Sequence, residues 1–492
     1  MESKRAAGIL LAVSSLPSPY GIGTFGKAGR DWIDFLAAAG QKYWQILPLG
    51  PTGWGNSPYQ CFSAFALSSY YVDLDLLAKE GLVKQNEIQD IFWGASPEVV
   101  NYAVLYHHRE KVLRLAFRRF ISTKAFRGFR EKYHFWLDDY ALFMALKRKH
   151  NGRSWLEWEE DLKVRKTAAL EKAREELKQE INYQIFVQYQ TFRQWNELKK
   201  YANRKGILII GDMPIYVSMD SADTWADSGY FQLDDKRRPL SVSGCPPDPF
   251  ARDGQLWGNP LYRWDVMEKQ GFAWWMLRLR ESLSLYDVVR IDHFRGFESY
   301  YSIPAGDKTA ARGKWVKGPG FAFIETIHKN LCGAAIIAED LGFLTPEVKA
   351  LLEASGFPGM KVLQFAFDSR ESGDYMPYTY HRNCVVYTGT HDNTTSAGWF
   401  KTAPAEDIKA ACEFLGLKKP RQGCRAFIRA AFGSVANLAI IPMQDWLGLG
   451  VKARMNAPST TGDNNWRWRV LPGQLTMDLA GEIKRLAKIY GR

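Results

Sequence analysis

Cysteine is scarce and scattered in this chain of 492 residues. Its six thiols, Cys61, Cys245, Cys332, Cys384, Cys412 and Cys424, show no metal-type pairing. Free thiols in a reducing compartment are the simplest account. Cys332 and Cys384 lie in or beside apolar segments, where a thiol behaves as a small hydrophobe. Long apolar runs are missing too: none approaches the roughly 18 residues that span a bilayer. Lys4-Arg5 followed by Gly8-Ile-Leu-Leu-Ala-Val13 faintly resembles a secretory signal. The stretch is at the short limit and no clear small-residue cleavage site follows, so it is read as a strand. A cytoplasmic protein with no membrane partner is expected. Zinc-finger spacing, a phosphate loop, an aromatic ribonucleoprotein motif and internal repeats are all lacking. The charge of +12, from 65 Lys and Arg against 53 Asp and Glu, is mild at this length. The basic residues gather in segments such as His108–Arg119, with apolar positions at helical spacing and Lys and Arg between, the pattern of a solvated surface helix. No nucleic-acid partner is expected.

The chain does contain four short apolar runs that each stop at a carboxylate. Ile207-Leu-Ile-Ile-Gly211 ends at Asp212, and Asp287-Val-Val-Arg-Ile291 ends at Asp292. Ala334-Ala-Ile-Ile-Ala338 ends at Glu339, and Cys384-Val-Val-Tyr-Thr-Gly-Thr390 runs into His391-Asp392. Short β-branched runs of this kind read as buried parallel strands. The carboxyl ends of the strands in a (β/α)8 barrel share one face, where such acids would meet.

Eight candidate strands can be placed: Gly8–Val13, Tyr43–Leu47, Ile207–Gly211, Val288–Ile291, Ala335–Ala338, Lys361–Phe365, Cys384–Tyr387 and Leu438–Ile441. Helical patterns such as Gly29–Ala39 and Pro346–Ala354 lie between them, so the expected fold is α/β, a single TIM barrel over 1–492. Two gaps exceed a simple crossover. A largely helical insertion is expected at about 75–200, between strands 2 and 3. A loop-rich one is expected at about 215–285, where Gly244-Cys-Pro-Pro-Asp-Pro-Phe250 and Gly254-Gln-Leu-Trp-Gly-Asn-Pro260 carry dense Gly and Pro. Long loops of this kind rise over the catalytic face of a barrel.

Period-two alternation puts Val288, Arg290 and Asp292 on one side of their strand. The guanidinium is expected to lower the pKa of Asp292 and keep it anionic, although a structural ion pair fits equally. Glu339 and Asp340 diverge on an extended backbone, so one alone can face the site. A Glu after Ile336-Ile-Ala338 would have a raised pKa and could donate a proton, whereas Asp340 could cap the next helix. Asp212, His391 and Asp392 are individually ambiguous between site and structural roles. A nucleophilic carboxylate with a protonated partner is the equipment of a retaining glycosidase or transglycosidase. Aromatics in the expected loops, Trp54, Tyr59, Trp225, Tyr230, Phe250 and Trp257, could stack on sugar rings, although most aromatics of a large protein fill its core.

Several longer motifs carry a family resemblance: Leu16-Pro-Ser-Pro-Tyr-Gly-Ile-Gly23, Gly53-Trp-Gly-Asn-Ser-Pro-Tyr-Gln60, Gly211-Asp-Met-Pro-Ile-Tyr-Val217, Arg290-Ile-Asp-His-Phe-Arg-Gly296, Ala338-Glu-Asp-Leu-Gly342, Gly389-Thr-His-Asp-Asn393 and Asn464-Asn-Trp-Arg-Trp-Arg469. In this order they resemble the 4-α-glucanotransferases, or amylomaltases, over nearly the whole barrel. The resemblance implies that Asp292 is the nucleophile, Glu339 the general acid/base and Asp392 the residue that holds sugar hydroxyls and stabilises the transition state. It implies supporting roles for Asp212, Arg290 and His391, and sugar contacts for Ser57, Tyr59, Gln255, Trp257, Asp368 and Asn464. Thr394, where the family often has an acid, and Ser459, where Gly is common, depart from the pattern and bear on loop shape.

The implied partners are an α-1,4-glucan donor and a glucose or maltooligosaccharide acceptor, with neither cofactor nor metal. The rival readings are an α-amylase-like hydrolase on the same barrel and a non-catalytic glucan-binding scaffold.

Overall fold

Eight parallel strands ring the centre of the molecule: β1 (Ala6–Leu10), β2 (Tyr43–Gln45), β3 (Leu208–Pro214), β4 (Val288–Asp292), β5 (Ile336–Ala338), β6 (Gly359–Val362), β7 (Cys384–Tyr387) and β8 (Leu438–Pro442). They belong to a computed structural model that describes residues 5–53, 55–247, 252–342, 344–370, 374–460 and 464–492. The strands run β6-β7-β8-β1-β2-β3-β4-β5, each paired in parallel with the next. At the remaining junction, between β5 and β6, the Ala338 amide donates to the Pro358 carbonyl at 3.0 Å. Asp340 Oδ1 accepts from the Met360 amide beside it at 2.6 Å, so this acid clasps the seam. The helix Pro346–Ser355 is capped instead by Thr345, not by Asp340.

Alternation along the strands sorts the apolar residues. Leu10, Ile210, Val288, Ile337, Met360, Val362, Val385, Tyr387 and Ile440 fill the barrel interior. Their neighbours Ile9, Ile209, Val289, Ile291, Val386, Ala439 and Ile441 pack outward in the larger core. Burying one such aliphatic side chain contributes about 1.5–3 kcal/mol. A one-residue slip of β4 would forfeit this and turn Arg290 into the outer core, so its charged residues lock its register.

Between β2 and β3 lie the helices Leu74–Lys79, Asn86–Gln89, Tyr102–Arg119, Lys124–Lys149, Glu160–Lys163, Thr167–Glu176 and Lys178–Arg204. Lys178–Arg204 packs along Lys124–Lys149 through rings that include Phe129, Tyr133, Trp136, Tyr189 and Phe192. The basic stretch 108–119 is the surface helix expected, with Leu105, Val112, Leu113 and Ala116 turned inward. Two of its cations are used within the chain: Arg114 pairs with Glu110 and Glu180, Arg119 with Glu87. Arg109 departs from that pattern, being buried with its guanidinium on the Tyr70 and Val72 carbonyls. Cys384 is buried in β7, but Cys332 is exposed beyond its helix. Among the described residues no helix is long and apolar enough to cross a membrane.

The 215–285 region holds more regular structure than its Gly and Pro predict. Gln255–Pro260 and Ser241–Cys245 form an antiparallel sheet with Ser299–Pro304 and Lys314–Lys317. Glycine serves close approach here: a Cβ on Gly244 would stand 2.1 Å from the Gln255 carbonyl oxygen. The same region contains the helices Ala222–Ala226, Trp264–Lys269 and Ala273–Leu285.

Candidate active site

The β3–β4 ladder sets Asp212 directly beside Arg290. Arg290 Nη1 donates to Asp212 Oδ1 and Oδ2 at 2.7 and 2.8 Å, and to Asp292 Oδ1 at 3.0 Å. One cation thus serves two carboxylates, the nearer bond being to Asp212. This reverses the expected direction of the Asp292 pKa shift. Burial pushes its pKa up to about 6, against the opposing pull of Arg290 and with the help of Asp212. The proximity of Arg290 is legible in the sequence, but the desolvation that outweighs it is not.

Glu339, at the end of β5, is held by four bonds to backbone groups. Its amide donates to the Ile291 carbonyl and its carbonyl accepts from the Phe294 amide, each at 3.0 Å. Its Oε2 accepts from the His293 amide at 2.6 Å and its Oε1 from the Leu341 amide at 2.8 Å. Glu339 and Asp340 diverge as expected, Glu339 to β4 and Asp340 to β6. Burial and the charge of Asp292 raise the Glu339 pKa to about 7, against Arg290 and the two amides. One member of the pair therefore stays largely ionised near neutrality while the other keeps a proton for much of the time.

His391 and Asp392 follow β7. His391 is buried, its Nε2 lies 3.3 Å from Asp392 Oδ2 and its ring stacks on Tyr59 at 5.2 Å. Burial disfavours the charge on His391, yet the adjacent carboxylate holds its pKa above the ordinary value. Burial likewise opposes the ionisation of Asp392, but His391 and the Asn456 side-chain amide, donating at 2.6 Å, bring its pKa down to about 2. Tyr59 donates from its hydroxyl to Asp212 Oδ2 at 2.7 Å, which ties the His391 side of the site to the Arg290 side.

The other expected contacts divide. Trp257 packs perpendicular to the His293 ring at 4.8 Å, and its indole N–H donates to Gln255 Oε1 at 3.1 Å. Gln60 Nε2 donates to the Trp257 carbonyl and to Asn259 Oδ1 at 3.3 and 3.1 Å, joining the Tyr59 loop to this strand. Ser57 Oγ accepts from the Tyr59 amide at 3.3 Å and shapes that turn. Asp368 follows the helical turn after β6 and is paired with Arg370, while Asn464 is exposed two residues before Trp466. Trp225 is fully buried against Phe143 and Trp158, a core residue, and Tyr230 bonds to Gln270. Trp54 and Phe250 lie outside the described residues. Ser459 occupies the left-handed region, with φ 61°, which suits the glycine common at that position.

Four residues near the acids carry no individual signal in the sequence. Trp466 lies 5.7 Å from the Tyr59 ring and 5.9 Å from His391. Asn456 holds Asp392, and Arg454 Nη2 donates to the Asp392 carbonyl at 2.6 Å. His293 adopts φ 56° and ψ 49°, a left-handed conformation that costs a residue with a Cβ roughly 1–2 kcal/mol. Trp466 and His293 lie inside the quoted motifs, whereas Asn456 and Arg454 lie outside them. Among the described residues no group of three or more His, Cys, Asp or Glu is placed to hold a metal ion.

A family model described as 4-alpha-glucanotransferase matches residues 11–475. The chain belongs to the 4-alpha-glucanotransferase family. Two members illustrate the likeness. The 4-alpha-glucanotransferase of Clostridium butyricum is 49% identical over 484 residues, 98% of this chain and 99% of that protein. That of Thermus thermophilus is 46% identical over 505 residues, the full length of both. Among solved structures, the amylomaltase from Streptococcus agalactiae in complex with acarbose superposes with a TM-score of 0.96 at 40% identity, covering 99% of this chain and 100% of that one. The amylomaltase from Corynebacterium glutamicum, at 18% identity and a TM-score of 0.78, shares the fold, with 99% of this chain and 75% of that one covered.

Proposed function

We propose that this family member transfers segments of α-1,4-glucans to the 4-hydroxyl of glucose or another glucan with retention. The observation that carries the reading is the pair Asp292 and Glu339. They sit at the ends of adjacent strands, and Glu339 is bonded through the residue next to Asp292. In the first step Glu339 gives its proton to the glycosidic oxygen, the bond from that oxygen to C1 breaks, and Asp292 bonds to C1. In the second step Glu339 takes the proton of the incoming 4-hydroxyl, the new C1–O bond forms and Asp292 leaves. Arg290 and Asp212 balance the charge around Asp292. Asp392, anionic throughout, suits hydroxyl binding and stabilisation of positive charge at C1. Tyr59 and Trp257 offer aromatic faces for sugar rings, with Gln255 beside them. Ser57, Asp368 and Asn464 complete the proposed contacts.

The helices of about 75–200 form, in the same reading, a subdomain on one barrel, and the protein works on glucans in the cytoplasm. Incubation with maltotriose tests the reaction. A ladder of longer maltooligosaccharides with free glucose is expected, whereas short sugars alone would mean an α-amylase-like hydrolase. No turnover at all would mean a binding scaffold.

A further inference from the structure

The geometry points to His293 as a positioning residue that links the strand bearing Trp257 to the carboxyl group of Glu339. This rests on the transfer reading above. The residue makes its two contacts through different groups, backbone and ring. Its backbone, left-handed at φ 56°, ends β4 and aims its amide at Glu339 Oε2. Its ring is buried and meets the Trp257 ring edge-on at 4.8 Å. Burial, assisted by Arg295, keeps that ring neutral, its pKa pushed down to about 3, so the ring contact does not change across the working pH range. Glu339 is also faced by the charges of Asp292, Arg290 and Arg295, none of which this coupling alters. A glucan that displaces Trp257 would push on the residue holding the proton donor. Occupancy of the sugar site and orientation of the acid are thereby joined through one residue.

The two halves of the coupling can be separated by substitution. His293→Gly keeps the left-handed backbone without steric cost and removes the ring. His293→Val disfavours the backbone conformation and should withdraw the amide. With maltotriose, His293→Gly and Trp257→Ala are each expected to lower kcat/KM by about tenfold or more. The double variant should fall no more than about threefold below the poorer single one, since both cut the same link. His293→Gly should leave the alkaline limb of the pH profile in place. His293→Val should move it upward, because a carboxylate that loses an N–H donor holds its proton more tightly. If His293→Gly folds poorly, His293→Asn carries the same test, Asn being tolerant of this conformation. His293→Gly at parental activity, multiplying losses in the double variant, or an unmoved limb in His293→Val would each overturn the proposal. A parent enzyme inert towards maltotriose would instead overturn the reading on which it rests.

Discussion

Arg290 Nη1 lies 2.7 and 2.8 Å from the two carboxylate oxygens of Asp212, with the side chains 4% and 0% exposed. Removing one partner of such a buried pair leaves the other charge uncompensated and typically costs about 3–5 kcal/mol. Arg290→Met should therefore destabilise the protein by about that amount in denaturant unfolding. It should also move the acid limb of kcat/KM upward, since Asp292 loses its cation. Asp212→Asn should move that limb downward, because Asp212 raises the Asp292 pKa. A shift in the same direction for both variants would contradict this charge arrangement.

The pair values predict the parental pH profile. For the free enzyme, kcat/KM should rise as Asp292 ionises near about 6 and fall as Glu339 loses its proton near about 7, as a narrow bell. The two limbs belong to the coupled pair. Steady-state rates across pH check this, and a flat profile from about pH 5 to pH 8 would exclude the pair as the working acids.

Stability should respond to the same proton. Folding raises the Glu339 pKa from 4.5 to about 7, so the folded state binds more protons between those values and loses stability as pH rises across them. Glu339→Gln removes that loss. The variant should match the parent below pH 4.5 and melt higher than the parent above about pH 7. Calorimetry at the two ends of the window decides, and a variant less stable at the upper end would be wrong in sign.

Tyr59→Phe keeps the stack on His391 and deletes the hydroxyl bonded to Asp212. A hydrogen bond to a charged group contributes about 1.5–3 kcal/mol, so a fall of roughly 10–100-fold in kcat/KM is expected. Tyr59→Ala should fall further, having lost the ring as well.

Much of this arrangement is legible in the order of the residues alone. Cys384–Tyr387 matches its strand residue for residue, because a β-branched run between polar neighbours leaves little freedom. The first strand begins earlier than Gly8–Val13 predicts, since Ala6-Ala7 carry no strand signal and Val13–Ser15 turns into a 3-10 helix. The expected strand Lys361–Phe365 begins two residues late and ends three late, an apolar run giving no sign of where Gly359–Val362 passes into the turn Leu363–Ala366. The antiparallel sheet around Gly244 is hidden because Gly and Pro mark breaks, while here glycine lets two strands touch. Asp340 resembles a helix cap because its true partner, Met360, follows at a distance that local patterns do not reach. That these acids end neighbouring strands is readable, but the balance of burial against charge that separates Asp292 from Glu339 arises only when the chain is packed.

The most direct test uses Glu339→Gln with α-maltosyl fluoride, a donor whose leaving group needs no protonation. The first step should proceed and the second stall, so that mass spectrometry of proteolytic fragments finds one maltosyl ester on the peptide containing Asp292. A label on another carboxylate, or fluoride release with inversion and no labelled peptide, would contradict the account.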